Sequence, residues 1–501
     1  MVRVKPGAHN REAGRRSNMR ALCERVCNKE PDPLMDQQHS QQQQWQQAVT
    51  AYAQAVNDYV AQGRAQGWDD LEEPLPQATE HLLDAWLQAL QAANRPGVEA
   101  FEQHAFREAW PPAHHPLLPL IKEHGQGIGN VLLLEDGSLL ARIGMPHDKG
   151  QVVRIDPLGV TPVIGVDHFG RCPARRYFAL ANAEGIRVTD GWGGPQVLRL
   201  AWPTGLEGLP PGYPFEPFDL PPTPTTLIPF PDGQRVLLVS AEGIFLLTRH
   251  GATRLLPHQA RVLDELDEGT DPDDISLGLS MEHGAVSADG RLIVVGEQGS
   301  RHLVLDDQLR PVAAIGPASE YPHFALFNRA GDQLIVNACH FYSGATLAVR
   351  VADLPGLDTD YYSQDPRTPL VQDGARVYAG VAREGEYIVG DAYGYLRAFG
   401  EDGTEHWQHY LGSTISALDI SADGRTLVAA SHAGFVSVIA LDNGRPAWQI
   451  GTGAWRGTAV VVLERLGQGI GLVTGAASSL PVPAFSRARP LPQVLHRFRK
   501  L

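Results

Sequence analysis

The stretch "SADGRTLVAA", residues 421–430, has a near twin in "SADGRLIVVG", residues 287–296, 134 positions upstream. Each is a polar turn with Asp-Gly at its centre, followed at once by a run of strand formers. Asp-Gly favours a tight hairpin turn because glycine enters the positive-φ region that a side chain penalises. A turn that returns with its strand marks a structural repeat, and repeats are sought before any other fold assignment.

Working outward, the same form (apolar strand, Gly turn, second apolar strand) recurs in "VLLLEDGSLLARI", "RRYFALANAEGIRVTD", "LIPFPDGQRVLLVSAEGIFLLT", "FALFNRAGDQLIVN" and "GVAREGEYIVGDAYGYLRAF". With the two SADGR units this makes seven, and a half unit, "AVVVLERLGQGIGLVTG", follows. Six first turns carry glycine, at 137, 233, 290, 331, 385 and 424, and the second unit has Arg175 in that place. The strands are rich in Val, Ile, Leu, Phe and Tyr, as sheets packed between neighbouring sheets require. Spacings of about 40 or about 55 residues are those of propeller blades. The expected fold is mainly β: a propeller with seven or eight four-stranded blades, preceded by a small α-helical domain. Eight blades result if "LLPLIKEHGQGIG" before the first unit completes the half unit; seven require one unit, most readily the second, to be no blade.

The chain upstream has a different period. From Ser40, Trp45, Val49, Tyr52, Val56 and Tyr59 fall at helical spacing, with glutamines on the other faces. Further stripes run Leu83, Trp86, Leu87, Leu90 and Val98, Phe101, Ala105, Ala109. After "WPPAHHPLLP" the period changes to two. The expected organisation is a basic N-terminal extension over 1–35, a helical domain over 36–115, the propeller over 116–480 and a basic, Pro-containing tail over 481–501. Met35 stands just before the first helical pattern and is a second candidate start.

A net charge of −15 over 501 residues disfavours general affinity for nucleic acid or an anionic membrane. Four cysteines, no apolar leader and no run of about 18 apolar residues point to a cytoplasmic protein. CxxxC at Cys23 and Cys27 has no further ligand pair, and the acidic run "LDELDEGTDPDD" (263–274) fails as a calcium loop at Leu266 and Ile275. That run, with Asp267 and Asp271, reads as a solvated inter-strand insertion or a surface for a basic partner. Two other insertions carry aromatics, Tyr213, Phe215 and Phe218 in one and Tyr361 and Tyr362 in the other, which suit an interface. No catalytic signature appears, and no cofactor is expected. His283, His302, His323, His340 and His432 are candidates by residue type, with turn or strand hydrogen bonding as the ordinary role.

The repeats, with their Ser-Ala-Asp-Gly turns, resemble WD40-like and YVTN-type β-propellers over residues 120–478. They lack the GH and WD dipeptides, so that family's partner-binding residues do not carry over. "AFGEDGTEHW" and "ALDNGRPAW" are similar to the tryptophan-docking motif of quinoprotein-like propellers, which implies a structural role between blades for Trp407 and Trp448. No adjacent cysteine pair supports a quinone cofactor. The repeats, the missing catalytic signatures and the loop insertions together point to a non-enzymatic scaffold for protein–protein interaction, bacterial in style; similar propellers are encoded beside AAA-type ATPases and von Willebrand A-like proteins, which the resemblance offers as partners. The rival reading is a metal-dependent, lactonase-like hydrolase with a site in the central channel.

Overall fold

A computed structural model describes residues 127–147, 150–156, 159–213, 215–411, 413–432, 434–441, 459–462 and 471–473, with a discontinuous set between 37 and 110. Its strands form seven sheets, each a four-stranded antiparallel meander with a fifth edge strand added in two of them, and these are the blades of a propeller. Blades 1 to 7 begin with the inner strands Ile128–Leu133, His168–Arg171, Pro224–Pro229, His283–Val286, Tyr321–Phe327, Val377–Arg383 and Ile415–Ile420. Inner strands pack against their neighbours around the ring, and that of blade 1 packs against that of blade 7. All seven sequence units are therefore blades, the second included. The half unit is no eighth blade: Ala459–Val462 and Gly471–Val473 are the fourth and fifth strands of blade 7. A hairpin added to an outer edge and a hairpin opening a new sheet have the same apolar pattern, which is why the sequence left both counts open.

The turn glycines behave as the repeat requires, with φ between 67 and 82° at 137, 233, 290, 331, 385 and 424. Arg175 adopts φ 65° in the equivalent turn. That conformation costs a side-chain-bearing residue roughly 1–2 kcal/mol, and the guanidinium has a compensating role. Asp419 of blade 7 accepts from Arg171 at 2.6 and 2.8 Å, from Arg175 at 3.3 Å and from the Leu133 amide of blade 1 at 2.6 Å. Arg175 also donates to the Ile420 carbonyl at 2.6 Å, and Arg171 to that of Leu133 at 2.8 Å. One buried carboxylate thus ties blades 7, 1 and 2 together where the chain closes its ring.

Because strands alternate in direction, the turn between the first and second strands of every blade lies on one face. The turn between the second and third strands, and the link to the next blade, lie on the other, called here the mouth face. The acidic insertion is such a link, and it is not the plain loop its composition suggests. It forms the helix Gln259–Asp267, capped by His258 and anchored by buried Val262, then the short 3-10 turn Pro272–Asp274.

Residues 39–48 are helical. Trp45, Leu82, Trp86 and Trp110 are buried in one apolar cluster with Leu396, Trp407 and Ile415 of blades 6 and 7, so this stretch packs on the ring. The Trp45 ring lies 6.1 Å from those of both Trp86 and Trp110. Trp407 pairs across its sheet with Ala398, whose small side chain leaves room for the indole. Trp448 lies outside the described residues.

Candidate functional site: the channel mouth

Five inner strands carry an extra residue near their start. The pairing skips Gly129, Thr225, His323, Tyr378 and Ser416, in blades 1, 3, 5, 6 and 7. A β-bulge of this kind frees a side chain from the alternation of the strand and re-aims it. Blades 2 and 4 have no bulge there and begin instead with His168 and His283. The mouth is therefore ringed by Gly, His, Thr, His, His, Tyr and Ser in blade order.

Beside blades 4 to 6 these groups form one cluster. His283 Nδ1 lies 3.0 Å from the Met281 carbonyl, and its Nε2 lies 2.9 Å from His302 Nδ1. The carbonyl can only accept, so His283 carries its proton on Nδ1, and His302 donates from its own Nδ1. In the neutral ring that leaves His302 Nε2 as a lone pair, buried and without a partner. Tyr378 is the hub of the neighbouring group: the His323 ring sits edge-on at 4.9 Å, the Arg376 guanidinium lies over it at 4.7 Å, and His432 is 5.7 Å away. Both ring nitrogens of His323 and Nε of Arg376 are sealed from solvent with no partner. Burial pulls His283 down to about 4 and, helped by the nearby Arg376 charge, His323 down to about 3. His302 is driven well below its ordinary value by burial, then by His283 and His323. All three are neutral near pH 7.

Arg376 donates to the Phe341 carbonyl at 3.1 Å, and no carboxylate pairs with it among the described residues. The carboxylates at the mouth ends of blades 5 and 6 are engaged elsewhere, Glu320 with His340 at 2.6 Å and Asp391 with Arg397 at 2.7 Å. Across the mouth, Asn130, Arg142, His168 and Thr225 line a cavity of about 10 Å³, room for one water molecule.

Around this mouth stand exposed aromatic residues. Phe341 and Tyr342 form the tip of one turn of blade 5, 64% and 58% exposed, and Tyr393 sits on the matching turn of blade 6 with its ring 5.6 Å from Tyr342. Phe341 has φ 53°, uncommon for a bulky residue. The sequence missed these three; the signal available was an aromatic pair, "FY", in a turn that polar residues normally fill.

The aromatics expected from the insertions divide. Tyr361 and Tyr362 reach the mouth face because Leu357–Asp358 pairs in parallel with the outer strand of blade 4, Pro311–Ile315. Tyr361 donates to the Ser300 carbonyl at 2.9 Å, whereas Tyr362 is 58% exposed at φ 58°. Tyr213 is exposed with Phe215 beside it at 6.3 Å. Phe218 turns inward, edge-on to Phe245 at 6.2 Å, and pins its loop to blade 3. Asp267 and Asp271 are exposed on the acidic link. Of the candidate histidines, three touch or neighbour one another, His432 joins them through Tyr378, and His340 pairs with Glu320.

No group of three or more His, Cys, Asp or Glu among the described residues is placed to hold a metal ion. The opposite face has a larger cleft, about 590 Å³, lined by Arg329, Arg383, Glu386 and His406. Within it, buried Glu386 binds Arg383 at 2.5 Å and His406 at 2.6 Å. No described helix is long and apolar enough to cross a membrane.

No protein-family model matches the chain, and no curated protein matches it in sequence. Among solved structures, the β-propeller domain of Swd1 from Myceliophteria thermophila is 14% identical at a TM-score of 0.40, covering 64% of this chain and 95% of that one. Hydrazine synthase from Kuenenia stuttgartiensis is 14% identical at 0.41, covering 64% and 96%. The designed protein Ika8 is 13% identical at 0.40, covering 71% and 95%. The class is thus a seven-bladed β-propeller, on the strength of its own strand pairing.

Proposed function

We propose that the protein is a non-enzymatic interaction scaffold whose mouth face binds a protein partner. The observation that carries this reading is the exposed aromatic group Phe341, Tyr342 and Tyr393 on adjacent blades, flanked by Tyr362. Aromatic side chains supply large contact area at small entropic cost and are enriched in interface cores. Two of the four sit at positive φ, a conformation that costs about 1–3 kcal/mol each and clusters at functional sites. Folding alone gains nothing by exposing apolar rings on strained turns.

The resemblance to bacterial propellers offers an AAA-type ATPase or a von Willebrand A-like protein as the partner class, in the cytoplasm. A photo-crosslinking residue placed at Tyr342 or Tyr393 in cells is expected to trap one defined protein. The same residue at Gln308, on a turn of the opposite face, is expected to trap none. Equal trapping at all three positions, or no product at 342 and 393, refutes the reading.

A further inference from the structure

The aromatic rim suggests a partner; the groups beneath it narrow its chemistry. Resting on that interface reading, we infer that the mouth beside blades 4 to 6 receives one carboxylate, presented on an Asp or Glu side chain of the partner and flanked by apolar residues.

Arg376 holds its positive charge 4.7 Å over the Tyr378 ring, with a buried Nε–H that has no acceptor among the described residues. His323, turned out by its bulge onto the same ring, is neutral and so has one N–H to give and no acceptor for it. Two unpaired donors against one aromatic ring suit the two oxygens of a carboxylate. A buried donor without an acceptor is costly, on the order of 1–3 kcal/mol, so sites that keep such donors are candidates for ligand contact. Burial holds these imidazoles neutral, so Arg376 is the one charge in the cluster, which suits a monoanion better than a dianionic phosphate. His302 Nε2, a lone pair in the tautomer fixed by Met281, accepts an N–H from the peptide beside the acid. Arg376 also holds the Phe341 carbonyl, so one residue links the anion pocket to the exposed turn.

The test is a displayed library of random dodecapeptides screened against the purified full chain, followed by anisotropy measurements on the enriched peptides. Enriched peptides are expected to share Asp or Glu next to apolar residues. Arg376→Gln, or acid-to-amide exchange in the peptide, should each weaken binding about 10- to 100-fold. The two losses should not add, because each removes the same contact. Arg376→Lys, which keeps the charge without the flat Nε donor, should fall between, and thermal melts check that every variant is folded. Peptides that lose binding with Tyr342→Ser yet show no acid preference overturn the carboxylate inference and leave the interface reading standing. An absence of enriched peptides, or binding indifferent to Tyr342 as well, overturns both.

Discussion

The turn face and the cluster at the mouth beside blades 4 to 6 handle charge differently. On the turn face Asp419 is surrounded by two arginines and a backbone amide, Glu386 holds Arg383 and His406, and Asp136 holds Arg154 at 2.6 Å. On the mouth face Arg376 has no carboxylate, and three imidazole nitrogens are buried without partners. These carboxylates are taken up by the fold, Asp419 across three blades and Glu386 and Asp136 within blades 6 and 1. The mouth keeps donors, a lone pair and exposed rings that the fold does not consume, and that difference, more than the size of either cavity, marks it as the candidate site.

The contrast can be broken most directly at the closure. Asp419→Ala strands Arg171, whose side chain is 7% exposed, without its counter-charge. It is expected to cost about 3–5 kcal/mol in chemical denaturation; a loss under 1 kcal/mol would mean that apolar packing alone closes the ring. Next in size is acid sensitivity. His283, His302 and His323 have folded values depressed below an unfolded value near 6.5, so the unfolded chain takes up protons first. Their stability contribution is complete above about pH 6.5 and is lost as pH falls toward 4, at up to about 1.4 kcal/mol per pH unit for each group. The groups packed on them are Arg376, Tyr378 and the Met281 carbonyl, and none is an anion that would offset this. Melting curves between pH 7.5 and 4.5 check it, with His283→Gln expected to flatten the dependence.

Arg175→Gly sharpens the comparison at smaller scale. It relieves the strained turn by roughly 1–2 kcal/mol but removes charge-assisted bonds worth about 1.5–3 kcal/mol. The net loss should be about 1 kcal/mol, and a gain in stability would show that the arginine is not retained for closure. Smallest is the effect on stability of Tyr342→Ser combined with Tyr393→Ser, expected within about 0.5 kcal/mol as for other surface changes. If these exposed rings were structural, the melting temperature would fall with them.

Much of the fold was legible because its repeating element is local. Six of the seven first turns announce themselves by a glycine whose positive φ the geometry demands, and the strands that follow are short apolar runs. What escaped was how strands pair. The half unit looked like a beginning because apolar pattern does not say whether a strand adds to an edge or opens a sheet. The same blindness hid the site: His323 and Tyr378 face the mouth because the pairing skips them, and a bulge leaves no mark on hydrophobic alternation. Asp419, one acid in a strand, gives no hint that blades 1 and 2 converge on it. Phe218 and Tyr362 have similar sequence surroundings, yet one anchors its loop and the other is presented to solvent.

The skipped residues have a consequence for how such a molecule changes over time. Each bulged position stands outside the cross-strand pairing, so its side chain makes contacts that the ladder does not dictate: the Ser416 hydroxyl donates to the Ile128 carbonyl of blade 1, and the His323 ring packs on Tyr378 of the next blade. The five that this ring carries, Gly129, Thr225, His323, Tyr378 and Ser416, differ in size and hydrogen-bonding capacity while the strands around them keep one pattern. Descendants of such a ring can change what lines the mouth without changing strand register, except where, as at Gly129, the neighbouring backbone leaves no room for a side chain.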